Sequence, residues 1–306
     1  MVDSPIIAMP EIGSPAALIE RLEYVDGLYI YGLVDAAQFP ELLRYAPSAI
    51  KSGSYVSLLG ESALGDAILV GPLLIDLTIN FQQQALALKW LLSELQHRPF
   101  VSFLTSAQPL SILMQHLRWL TDVKHEDNTE WVMRYYDPRI LPHWLSVLTP
   151  EQHLTALQEI RRWGYRDVRG QWQVLHGASD EALPAPGEPM LLTATQHEAL
   201  LQKCLPYAVM DMLQNDDASQ LEAVQPTARY DFMAMQIGKA QGYGLDSIAD
   251  LKTYCMLALL YGSDFDAIPE VQQALMAPGV NVFTTRISGW TSAQWDTLAK
   301  GKTKIQ

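Results

Sequence analysis

"AILVGPLLIDLTINFQQQALALKWLLSELQHRPFVSFL", residues 67–104, places an amphipathic stretch between two apolar runs. Residues 67–77 are almost wholly aliphatic, with glycines nearby, as in a strand buried on both faces. Asn80 stands where it can cap a helix over "FQQQALALKWLLSELQ". There Phe81, Ala85, Leu88, Leu92 and Leu95 recur at 4-3-4-3 spacing and share one helical face. Residues 99–104, "PFVSFL", form a second apolar run of strand length. Strand, helix and strand in that order predict a crossover between parallel strands.

The same alternation extends both ways. Residues 27–35, "GLYIYGLVD", and 55–59, "YVSLL", are strand-like, and 39–46 form a short helix with Pro40 near its start. After the quoted passage comes a helix over 108–120, with Leu110, Leu113, Leu117 and Leu120 on one side, then a strand over "WVMRYY", 131–136. The expectation is an α/β N-terminal lobe over residues 1–150, a mainly parallel sheet with flanking helices. Residues 151–190 then read as a connecting helix, a hairpin at 164–177 and an acid- and proline-rich linker at 178–190. Residues 191–306 read as an all-helical C-terminal lobe. Capping boxes mark helix starts at Thr149/Gln152, Thr195/Glu198 and Thr291/Gln294, and Asp246 is placed to cap a helix with the seam Ile248, Leu251, Cys255 and Leu259. The helix after Thr195 is expected to carry Leu201, Cys204, Leu205 and Ala208 on one face.

Composition narrows the function. The net charge is −13, divided as −7 through residue 150 and −6 after it, so no basic stripe offers itself to a phosphate backbone and nucleic-acid binding is not expected. The longest apolar run has nine residues, against about 20 for a membrane-spanning helix. The first residues lack a basic segment, so no secretory signal is expected, and the two cysteines show no ligand spacing. These features point to a cytoplasmic protein without membrane insertion.

Candidate chemistry is thin. Ser62 in "LLGESALG" suggests a nucleophile elbow, but Leu64 stands where that turn needs glycine, and Gly65 comes one residue late. The seven histidines form no i, i+4 pair, and "SDFDAIPE", 263–270, lacks the glycine of a calcium loop. No catalytic residue, metal site or cofactor is therefore assigned. Trp163, Tyr165 and Trp172 are either a small core between lobes or anchors for a partner. In "EWVMRYYDPRIL", 130–141, Asp137 and Pro138 resemble a helix cap and first turn, and a buried Arg134 at a strand end would need a partner. The segment reads as an architectural corner.

Three stretches carry a resemblance: "LYIYGLVDAAQFPEL" (28–42), "FLTSAQPLSILMQHLRWLTDV" (103–123) and "MRYYDPRILPHWLSVLTPEQ" (133–152). Together they resemble the segments of a bacterial family catalogued as domain of unknown function 4123, the adaptors or chaperones of type VI secretion systems. The family pattern falls on Asp35 and Gln38, on Arg118, and on Arg134, Asp137, Pro138 and Arg139. The resemblance implies a non-enzymatic cytoplasmic protein that binds one cognate toxic effector and helps load it onto the VgrG spike protein. Such a partner is expected between the lobes or across residues 163–176. An α/β hydrolase or transferase, and an immunity-type toxin-binding protein, stand as alternatives.

Overall fold

The computed structural model describes residues 14–47, 50, 55–59, 71–78, 81–96, 98–177, 187–276 and 282–301. Ser62, Leu64, Gly65, Asn80 and residues 178–186 of the expected linker lie outside these. Two compact units divide the chain, residues 1–200 and 201–306.

The first unit opens with helix α1 (Pro15–Arg21), strand β1 (Tyr29–Asp35) and helix α2 (Leu42–Tyr45). Next come β2 (Tyr55–Ser57), β3 (Pro72–Asp76), α3 (Phe81–Leu95), β4 (Val101–Ser106) and α4 (Leu110–Thr121). Strands β5 (Asp122–His125) and β6 (Glu130–Val132) precede helices α5 (Leu141–Val147) and α6 (Pro150–Ala156). Strands β7 (Arg162–Arg166), β8 (Trp172–His176) and β9 (Met190–Leu192) follow, and α7 (Ala194–Asp217) runs across the boundary between units.

Six strands form one sheet in the order β2-β3-β1-β4-β7-β8. Each adjacent pair is antiparallel, which overturns the mainly parallel sheet expected from the sequence. Strands β3 and β4 do run in the same direction and α3 does connect them, but β1 lies between and pairs antiparallel with both. The continuous apolar runs have another cause. Every described residue of β3 and β4 is buried, because the sheet is covered on both faces. One face carries Ile30, Val34, Ile75, Phe103 and Trp172 against Leu18 of α1, Leu22 at its C-terminal cap, and Leu88, Leu91, Leu92 and Leu95 of α3. Phe81 and Ala85 of the predicted helical face have side chains outside the described set. Gly164 of β7 lets the C-terminal cap of α1 approach this closely: a Cβ there would lie 2.9 Å from Leu22 Cδ2.

A second sheet has the order β6-β5-β9, and β5 with β9 is the parallel pair. The strand predicted over 131–136 ends at Val132, so Arg134 lies in a turn beyond it and shares no strand face with Val132 and Tyr136. The predicted connector also belongs to the first unit. Its hairpin, β7 and β8, extends the six-stranded sheet from β4.

Among its described residues the second unit is helical. After the end of α7 come α8 (Arg229–Gly242), α9 (Ile248–Tyr261), α10 (Pro269–Leu275), α11 (Val282–Ser288) and α12 (Ser292–Lys300). Helix α9 is capped by Ser247 in place of Asp246, and it buries Leu251, Tyr254, Cys255 and Leu259 but leaves Ile248 exposed. Its neighbours in that core are Met233, Ile237, Phe265 and Phe283. Helix α7 starts from Thr193, not Thr195, and buries Tyr207, Val209 and Leu213. Leu201 of its predicted face is exposed.

Candidate functional site

The predicted corner forms where the chain leaves β1. Asp35 is the last residue of that strand, its backbone N–H donates to Phe100 O at 2.8 Å, and its Oδ1 caps the turn Ala36–Gln38 by accepting from Ala37 N at 3.1 Å. Gln38 closes this turn half-buried. The other Asp35 oxygen accepts from Arg134 Nη2 at 2.8 Å, joining residues ninety-nine positions apart. Three residues on, Asp137 Oδ1 accepts from the backbone N–H of Arg139 at 2.9 Å, a tight Asx turn. The carbonyl of Asp137 accepts from Ile140 N and Leu141 N, and α5 begins there. Asp137 thus caps a single turn ahead of the helix, instead of opening it directly as the sequence suggests.

Two carboxylates and two guanidinium groups balance in this cluster. Asp35 is 1 % exposed and Asp137 is fully buried. Arg139 grips Asp137 with Nε at 3.1 Å and Nη2 at 2.8 Å, and Arg134 Nη2 lies 3.5 Å from the same carboxylate. Burial raises the Asp35 pKa, and the Asp137 charge adds to the rise against the opposing pull of Arg134. For Arg134, burial works against the charge, but the Asp35 contact and Asp137 outweigh it and raise the pKa. The Tyr136 hydroxyl is pushed up to about 12, first by burial and then by Asp35, so it holds its proton at neutral pH. Every carboxylate oxygen in the cluster accepts a hydrogen bond from within the chain. Such a set fastens the end of β1 to the turn before α5.

Beside it, Tyr135 is fully buried, donates to Leu117 O at 2.6 Å and packs edge-on to Trp163 at 5.9 Å. Trp163 donates Nε1–H to Ser102 Oγ at 2.9 Å, and Trp172 meets Phe103 on the opposite sheet face. Trp163, Tyr165 and Trp172 are 0 %, 4 % and 2 % exposed, so their side chains serve the sheet's own core. Arg118 donates to Ser57 O at 2.8 Å, tying α4 to the edge strand β2. Pro138 is buried in the turn. The corner residues thus come together, whereas Arg118 and the three aromatics lie elsewhere in the same unit.

Residues 30–154 match the family model described as Domain of unknown function (DUF4123). The DUF4123 stretch runs from β1 into α6 and holds Asp35, Gln38, Arg118, Arg134, Asp137, Pro138 and Arg139. It excludes Trp163, Tyr165 and Trp172. No match emerges among curated proteins or solved structures. Among the described residues, no three His, Cys, Asp or Glu side chains form a group that could hold a metal ion, and no helix is long and apolar enough to cross a membrane.

One feature of the DUF4123 stretch has no local signal in the sequence. A cleft of about 530 Å³ is lined by Phe39, Pro40, Glu41, Tyr45, Trp90, Glu94 and Arg98. Its walls come from α2, α3 and the segments flanking them, and only the fold brings Tyr45 and Trp90 together.

Proposed function

We propose that this chain is a type VI secretion adaptor that binds a cognate toxic effector, keeps it soluble and helps load it onto the VgrG spike in the cytoplasm. The observation that carries this is the DUF4123 match over residues 30–154, which contains each of the three resembling segments apart from its outermost residues at 28–29. The corner supports it from the chemical side. Its charged residues are consumed in holding the end of β1 to the turn before α5, an arrangement suited to a rigid scaffold. The protein is then a binder without turnover of its own. It acts by covering apolar effector surface that would otherwise associate in water, through an interface of about 1,600 Å² for an ordinary stable pair.

Co-expression with the effector encoded beside it tests the proposal. The effector is expected to become soluble and to co-elute with the adaptor in size-exclusion chromatography. Unchanged effector solubility with no complex refutes it. A complex held through the toxic domain, with toxicity neutralised, would instead identify an immunity-type protein.

A further inference from the structure

The cleft beside α2 and α3 combines aromatic rings with carboxylates, and its charges are unevenly satisfied. Phe39 and Trp90 stack at 5.9 Å between centroids and form the floor. Tyr45 is 56 % exposed at the rim. The Arg98 guanidinium already lies 4.2 Å from the centre of the Phe39 ring, so one end of the aromatic surface holds a resident cation. At the other end Arg44 is an exposed second cation: it shares a weak ion pair with Glu41 at 3.3 Å and lies 5.7 Å from the centre of the Tyr45 ring. Glu94 is half-buried and has no hydrogen bond or ion pair among the described residues. A half-buried carboxylate in a cleft lined by aromatic rings favours a cation that can be dehydrated cheaply and can stack. Guanidinium meets both conditions better than ammonium, because its charge is delocalised over a plane.

We propose that this cleft is a binding site for a basic side chain, arginine in preference to lysine, presented by a protein partner. The guanidinium plane lies against Trp90 and, displacing the exposed Arg44, against Tyr45, and its N–H groups donate to Glu94 and Glu41. The acidity of the whole chain, −13, draws a basic segment toward it over longer range. That the partner is a secretion effector rests on the proposed function; the chemistry of the cleft does not.

The test uses the full chain and short peptides, with no effector present. An acetylated, amidated peptide bearing one arginine is titrated against ¹⁵N-labelled protein, and the Trp90 indole signal is assigned through Trp90→Phe. The same peptide with citrulline keeps the shape and removes the charge. The Trp90 signal is expected to shift saturably with arginine, and about tenfold more weakly with citrulline. Glu94→Gln should weaken arginine binding several-fold, and Tyr45→Ala likewise, with the remaining spectrum unchanged. Equal binding of the citrulline peptide, an unmoved Trp90 signal, or full affinity in Glu94→Gln overturns the site. Because no effector is used, such a failure is distinct from failure of the adaptor proposal.

Discussion

Replacing Asp137 by alanine would remove the buried carboxylate that Arg139, its side chain 17 % exposed, grips through Nε and Nη2, and would remove the turn preceding α5. Breaking a buried pair from one side costs about 3–5 kcal/mol, and the 45 % exposure of Arg134 moderates its share through solvent screening. Asp137→Ala is therefore expected to lower the melting temperature of the first unit markedly. Asp137→Asn should do less harm, because the amide oxygen still accepts from Arg139 N. Thermal unfolding followed by circular dichroism measures both. An unchanged melting temperature with lost effector binding would make the corner a contact site, not a structural one. Part of this was legible: Asp137 followed by Pro138 announces a cap and a turn, but not the grip of Arg139 on Asp137. The Arg134–Asp35 bond was not, because nothing local to Arg134 specifies a partner ninety-nine residues away.

Helix starts couple two elements more closely than their sequences reveal. In the box of α6, Thr149 N donates to Gln152 Oε1 at 2.9 Å, and in that of α7, Thr193 N donates to Gln196 Oε1 at 3.0 Å. The two boxes are also bonded to each other. Gln196 Nε2 donates to Gln152 Oε1 at 2.6 Å and to Val147 O at 2.8 Å, while Gln152 Nε2 donates to Leu191 O at 2.6 Å. Losing one cap costs about 1 kcal/mol. Gln152→Ala and Gln196→Ala should each cost that much, and the double variant should differ from their sum by about 0.5–1 kcal/mol in a denaturant-unfolding cycle. Strict additivity would show that the boxes act independently. Thr195 and Glu198 fit the capping pattern as well as Thr193 and Gln196 do, so sequence alone had no basis for choosing; the contact to Gln152 favours the earlier pair. Strand direction was hidden for a related reason. Runs such as Pro72–Asp76 record burial on both faces, and a covered antiparallel sheet produces them as readily as a parallel one.

At the scale of the molecule, the two units differ in what they titrate. All seven histidines precede residue 201, so the second unit contains none. In the first, His116 is buried, its Nε2 lies 3.1 Å from Ala156 O, and its Nδ1 has no hydrogen-bond partner among the described residues. Burial lowers its pKa, and burial lowers that of His153 as well. The folded state thus prefers both rings neutral, whereas the unfolded chain protonates them below a pH of about 6.5. Their contribution to stability is complete above that pH and falls as pH drops toward the lowered folded values. The raised pKa of Asp35 has the opposite sign: its protonated form suits the fold, so acidification relieves it. Each unit buries its own apolar cluster, so calorimetry should resolve two transitions, and Asp137→Ala identifies the first unit's by moving it. Between pH 7.5 and about 5.5 that transition is expected to fall by several degrees while the other stays in place. His116→Gln should flatten the fall. If the second transition moves with the first, or His116→Gln leaves the slope intact, the buried histidines are not its source.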